Sequence, residues 1–291
     1  MSESLQFNKR IYISGYWSVG SNVKKSVSVY MFGIRRTFKL LANSTLYFFT
    51  NNEEVKVNIK ELAQVWNINL TIIHRELSDL PASIYVNNVI DAAESMFDKC
   101  LDLDYRKSNE KGVLHYYRDL RKAGVDNYRE LLLIWLSKIF LVREIVNSKS
   151  ENFPVDSTLF CWVDCTAERF SFTRDNWEFT KQELPIEKIS HYAGSLNYLG
   201  IRLPLSASFL AGGDKAWETV KSKFIEQLES ISQYRYAHDE ETLLTNIMFD
   251  NSDLFHTIGT NHHVRIMNYI DTRLAAIIKR LVYYRSRIKH L

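Results

Sequence analysis

Residues 11–50 read IYISGYWSVGSNVKKSVSVYMFGIRRTFKLLANSTLYFFT. The run Ile11–Tyr16 is β-branched and aromatic and predicts a buried strand. A polar loop with Gly15 and Gly20 follows. Over 27–41 the apolar residues recur three and four apart, the pattern of a helix with one buried face. Leu46–Thr50 predicts a second strand, stopped by Asn51-Asn52. A helix over 59–66 and a third strand over 70–73 (LTII) continue the alternation. Strands alternating with helices build a parallel sheet covered on both faces, so the fold class is α/β.

The rest of the chain extends this frame. Residues 84–146 read mostly as helices, with 128–146 the strongest, and NSKSENFP (147–154) is a polar connector. Thr158–Val163 (TLFCWV) predicts a fourth buried strand that ends at Asp164. Beyond it the pattern is less regular. Phe209–Gly213 (FLAGG) closes a short segment, Trp217–Ile231 is an amphipathic helix with Val220, Phe224 and Leu228 on one face, and Asp239–Met248 is a further helix. Residues 268–288 form a basic terminal helix. Residues 1–265 therefore read as one domain and 266–291 as a basic amphipathic helical extension.

Composition narrows the class. Of 291 residues 46% are hydrophobic and 24% charged, the balance of a globular protein. Only 10 Gly and 4 Pro are present, too few for a turn-rich sandwich. A net charge of +3 argues against nucleic acid as a partner. That charge is uneven: 273–291 holds six basic residues (Arg273, Lys279, Arg280, Arg285, Arg287, Lys289) and no acid, so the remainder is at −3. The 3 cysteines, Cys100, Cys161 and Cys165, are an odd set without zinc spacing and point to a reducing compartment. MSESLQFNKR has no apolar leader core, and the most apolar stretch, 131–142, is broken by Ser137-Lys138 and is too short to span a bilayer. The expected location is the cytoplasm.

In open α/β sheets ligands bind beyond the carboxyl ends of the strands. After the first strand stand Ser14, Gly15 and Trp17, where small residues admit a ligand and an aromatic could stack on a base. Neither the dinucleotide GxGxxG pattern nor a P-loop occurs. After the fourth strand stands Asp164. A carboxylate there could hold a divalent cation against a diphosphate, or it could cap a helix. Gly212-Gly213 suits close backbone approach to a ligand, or a plain loop before a helix. His238-Asp239-Glu240-Glu241 opens a helix, where acids also complement the helix dipole. Lys138 lies within LLLIWLSKIFLV (131–142), and a lysine so placed either snorkels to the surface or faces an anion. Arg169 could neutralise phosphate. His262-His263 is a candidate metal pair. The terminal helix interleaves Leu274, Ile277, Ile278, Leu281 and Val282 with cations, which suits an anionic membrane surface or an ordinary packed helix.

The first strand and its loop, LLLIWLSKIFLVREIVNSKSENFPVDSTLFCWVDCTAER, FLAGGDKAWETVKSKF and HDEETLLTNIMFDNSDLF, in that order, resemble the bacterial HtrL/YibB-like proteins over roughly residues 9–260. That family looks like glycosyltransferases of the GT-A fold. The resemblance implies a GT-A-like, Rossmann-like nucleotide-diphospho-sugar transferase fold with a helical C-terminal extension. It places Trp162-Val163-Asp164 at a DxD-type motif, with Asp164 at a metal or at the donor diphosphate. Gly212 and Gly213 would line the donor sugar, and Asp239 or Glu240 would be the base on the acceptor side. Thr166 stands where a full DxD carries its second acid. The metal, Mn or Mg, would then rest on Asp164 and a residue such as His262, or Lys138 and Arg169 would serve in place of the ion.

These readings predict a glycosyltransferase that moves a sugar from a nucleotide-sugar donor to a hydroxyl of a glycan or lipid-linked acceptor. The tail at 273–291 would rest on the inner membrane face. A protein that keeps the fold and binds carbohydrate or nucleotide without turnover is the alternative.

Overall fold

A computed structural model describes residues 9–19, 27–99, 125–149, 157–171, 174, 176–194, 197–198, 201–202, 204–231 and 239–259. Seven strands form one sheet: β1 (Lys9–Tyr16), β2 (Thr45–Thr50), β3 (Asn69–His74), β4 (Thr158–Val163), β5 (Ile189–Tyr192), β8 (Ser206–Gly212) and β9 (Phe255–Gly259). Their order is β3-β2-β1-β4-β8-β5-β9, and β6 (Asn197–Tyr198) pairs separately with β7 (Ile201–Arg202).

The expected parallel sheet is mixed. β8 runs antiparallel to both of its neighbours, β4 and β5, while every other pairing in the large sheet is parallel. The chain builds β2 and β3 on one side of β1, then returns to place β4 on the other. The β1–β4 boundary is therefore the point where strand order reverses, and the crevice beyond its carboxyl ends is where such sheets take ligands.

Helices cover both faces. α1 (Val27–Leu40) and α2 (Glu53–Val65) lie on one, with Ile34, Phe38, Val55 and Ile59 packed against Tyr12, Phe48 and Leu159. Asn52 caps α2 by accepting from the Val55 amide at 2.9 Å, which starts that helix earlier than apolar spacing predicts. On the other face lie α3 (Val86–Lys99), α4 (Val125–Lys149), α5 (Asp214–Glu229) and α6 (Glu240–Asp250). Their residues Val89, Leu136, Val220 and Leu243 share a core with Ile13, Phe160 and Trp162. β4 feeds both cores, so TLFCWV is continuously apolar rather than alternating. Each Leu or Phe buried in these layers stabilises the fold by about 1.5–3 kcal/mol relative to exposure.

α4 is the element that positions the site. It packs against both the sheet and α5, and from Leu136 to Arg143 all residues but Phe140 are buried. Arg143 ties it to α5 through Asp214 and, at 2.6 Å, Glu218. Trp217 of α5 donates its indole N–H to the Phe160 carbonyl at 2.9 Å, fixing α5 on β4. The basic helix expected over 268–288, and the boundary expected at 265, lie outside the described residues. Among the described residues no helix is long and apolar enough to cross a membrane.

Candidate functional site

Side chains alternate along β4, so Phe160, Trp162 and the residue after the strand, Asp164, point to the α4 face. The Asp164 amide continues the ladder by donating to Ser208 O at 2.9 Å. Its Oδ1 accepts from the Trp162 indole N–H at 3.1 Å and lies 3.0 Å from Lys138 Nζ. Its Oδ2 lies 3.4 Å from an Arg169 nitrogen. Lys138 Nζ also donates to Glu240 Oε1 at 2.7 Å and to the Ala207 carbonyl at 3.4 Å, and sits 5.9 Å from the Trp162 ring centroid. The lysine neither snorkels nor stands alone. From the buried middle of α4 its ammonium joins the end of β4 to the first turn of α6.

The electrostatics follow from burial and partners. Burial opposes the charge on Lys138, but Asp164 and Glu240 outweigh it and hold the ammonium above the usual lysine range. Burial likewise opposes the charge on Asp164, and Lys138 and then Arg169 hold its carboxyl below the usual range. Glu240 goes the other way. Burial pushes it up to about 8 against the pull of Lys138, with Asp239 and Glu241 adding like charge.

A second layer supports this one. Glu241 Oε1 accepts from the Ser206 hydroxyl at 3.0 Å and the Ala207 amide at 2.9 Å. Burial, then Asp239, raise its carboxyl. Arg174 donates to Ser208 Oγ at 2.6 Å and Ser206 Oγ at 2.8 Å, with its guanidinium 3.9 Å from the Phe170 ring centroid. Burial lowers it to about 10. Neither Glu241 nor Arg174 is predicted from sequence as a site residue. Glu241 reads as one more acid in a helix start, and Arg174 sits in an irregular stretch with no periodicity.

Of the residues predicted to act together, Lys138, Asp164, Arg169 and Glu240 are brought together; several others are not. Asp239 is a helix cap: its Oδ1 accepts from the Thr242 amide at 2.8 Å in a capping box. Gly212 pairs with Phe160, so it lies at the opposite end of β4 from Asp164, about 13 Å away at strand rise. A Cβ on Gly212 would meet Ile189 Cδ1 at 2.6 Å, and one on Gly213 the Ile186 carbonyl oxygen at 2.7 Å. Packing against residues 186–189, rather than proximity to Asp164, explains both glycines. Trp17 is buried, donates to the Arg75 carbonyl at 2.8 Å and is not open for stacking. Gly15 makes room for it, since a Cβ there would lie 2.6 Å from the indole. Ser14 is buried in β1 beside β4, and its hydroxyl has no hydrogen-bond partner among the described residues.

His262 lies outside the described residues. Among the described residues no group of three His, Cys, Asp or Glu is placed to hold a metal ion. Thr166, at the position of the absent second acid, accepts a hydrogen bond from Arg169. Cys161 is buried in β4, Cys165 follows Asp164 and is partly exposed, and neither is in a disulfide. Two open grooves, of about 680 Å³ beside α2 and β3 and about 450 Å³ beside α1, lie elsewhere, and no residue of the Asp164 cluster lines either.

No family model matches the chain, and no curated protein matches it. Among solved structures, one named "Structure of Transferase" is similar with a TM-score of 0.43 and 11% identity, covering 85% of this chain and 86% of that one. A second, a cysteine-to-serine double mutant, has a TM-score of 0.34 and 12% identity over 84% of this chain and 86% of that one. Both are named transferases. At these values the likeness carries no argument about what this chain does.

Proposed function

We propose that the cluster around Asp164 is the donor site of a glycosyltransferase that takes a nucleotide sugar and a hydroxyl acceptor. The observation that supports this most is positional. A carboxylate with two cations beside it stands just past the carboxyl end of β4, next to the β1–β4 boundary where strand order reverses, the place where open α/β sheets take ligands. The mixed sheet is compatible with a GT-A-like fold, and the order of segments resembling HtrL/YibB-like proteins agrees with that reading.

In the proposed reaction an acceptor oxygen attacks the anomeric carbon. The bond from that carbon to the diphosphate oxygen breaks, and its electron pair leaves with the diphosphate. Arg169 stabilises the charge that develops there. The acceptor proton passes to Glu240, because Asp239 is taken up by its cap. Burial raises Glu240 to about 8, so the ionised form that can accept this proton grows as pH rises toward that value. The acceptor is a glycan or lipid-linked hydroxyl, presented at an anionic membrane surface that the basic tail would touch.

Binding without turnover is the second reading. It is favoured by the engagement of Asp239 in a cap and of Glu240 with Lys138. A thermal-shift screen of nucleotide sugars tests the first step. A ligand at a hundredfold its Kd adds about 2.7 kcal/mol, a shift of several degrees in Tm. No shift across the panel contradicts both readings. Binding without product across a broad panel of acceptors selects the second.

A further inference from the structure

We infer that protein cations do the work of a divalent metal ion at this site, so that the chain binds a nucleoside diphosphate group without metal. The inference rests on the donor-site reading above and concerns how that site meets its charge.

A divalent ion needs open carboxylate oxygens, since Ca²⁺ and Mg²⁺ bind oxygen at about 2.0–2.6 Å. Both oxygens of Asp164 already face a cation of the protein. Oδ1 faces Lys138 Nζ at 3.0 Å and the Trp162 N–H at 3.1 Å, and Oδ2 faces Arg169 at 3.4 Å. A second acid of the cluster, Glu240, shares the same ammonium at 2.7 Å. A metal placed between these carboxylates would displace Lys138 or sit against it, with like charges repelling across a buried space. Thr166 stands where a second acid would complete a metal motif, and its hydroxyl accepts from Arg169 rather than awaiting an ion.

The two cations divide the task. Lys138 is buried and neutralises Asp164 from the α4 side, so the carboxylate does not repel an incoming phosphate. Arg169 sits on the 3₁₀ turn Ala167–Phe170 with its side chain 38% exposed and stacked 4.5 Å from the Phe170 ring centroid. Its contact to Asp164 is long, and a planar guanidinium grips phosphate oxygens bidentately. Arg169 keeps its place beside Asp164 and offers its remaining N–H groups to the diphosphate when the donor arrives.

Calorimetric titration of the full chain with UDP, GDP and ADP, once in excess EDTA and once with Mn²⁺, tests this. The expected result is binding of at least one nucleotide in EDTA, with a Kd within about threefold of the Mn²⁺ value. Arg169→Gln, at a partly exposed position, is expected to weaken that binding about tenfold to a hundredfold, with its thermal melt unchanged. Binding seen only with Mn²⁺ overturns the inference and leaves the donor-site reading standing. Unchanged affinity in Arg169→Gln overturns it as well. No binding of any nucleotide in either condition removes the donor-site reading and this inference with it.

Discussion

Lys138 and Glu240 are 102 residues apart in the chain, yet Lys138 Nζ lies 2.7 Å from Glu240 Oε1 and 3.0 Å from Asp164 Oδ1. One buried ammonium thus joins the middle of α4, the end of β4 and the start of α6. Removing it would leave Asp164 charged and without its nearest cation. Lys138→Met is therefore expected to lose about 3–5 kcal/mol of stability, read from the urea midpoint at unchanged slope. A loss below about 1 kcal/mol, the range of an exposed pair, would show that the ammonium does not hold these elements together.

Glu240 makes stability depend on pH in a direction opposite to an ordinary ion-paired acid. Its folded value of about 8 lies above its ordinary 4.5. Between those values the folded state binds more protons than the unfolded one, so this group's contribution falls as pH rises. Glu240→Gln should flatten that fall, with the variant gaining on the parent as pH climbs from 5 toward 8. Urea titrations of both proteins across that window check it; a variant that loses ground to the parent as pH rises would contradict the assignment.

His191 has the reverse sign. It is buried on β5, its Nδ1 donates to the Tyr192 carbonyl at 3.1 Å, and its ring packs edge-on against Phe255. Burial lowers it from 6.5 to about 4. Between those values the unfolded state binds more protons, so stability is lost as pH falls through that range. His191→Gln should lose less stability between pH 6.5 and 4 than the parent does, as followed by thermal melts. Parallel curves would show that His191 does not titrate between the states.

Gly213 separates packing from ligand contact. An added methyl would meet the Ile186 carbonyl oxygen at 2.7 Å, so Gly213→Ala should cost about 1–3 kcal/mol by overpacking. Nucleotide affinity should stay at the parent's value, because this end of β8 lies away from Asp164. Weakened binding at unchanged stability would return the glycines to the site.

The sequence makes the frame legible where burial on both faces leaves long apolar runs. β1, β2 and β4 and the helix after β1 are read from IYISGY, LYFFT, TLFCWV and the spacing over 27–41. β5 and β9 are not, because ISHY and FHTIG are short and carry polar residues that tertiary contacts satisfy. The reversal of β8 leaves no local mark, since direction is set by the connection and not by composition. Asp164 and Lys138 are legible as oddities: an acid at a strand's end and a lysine in an apolar helix. Their pairing is not legible, and neither is the role of Arg174 or Glu241, because each depends on partners far along the chain, 26 residues for Lys138 and Asp164 and over 30 for the other two. The glycines mislead for a related reason, as residue type shows that space is needed and not what fills it.

Sugar transfer by Asp164→Asn, assayed on the nucleotide sugar that the binding screen selects and normalised to folded protein, tests the central claim most directly. The carboxylate's charge holds Lys138 and Arg169 in place, and loss of one such preorganised electrostatic element costs about 10²–10³ in kcat. A hundredfold or greater fall is the predicted result. A rate within about twofold of the parent, far from the loss expected when preorganised electrostatic stabilisation is removed, would contradict it.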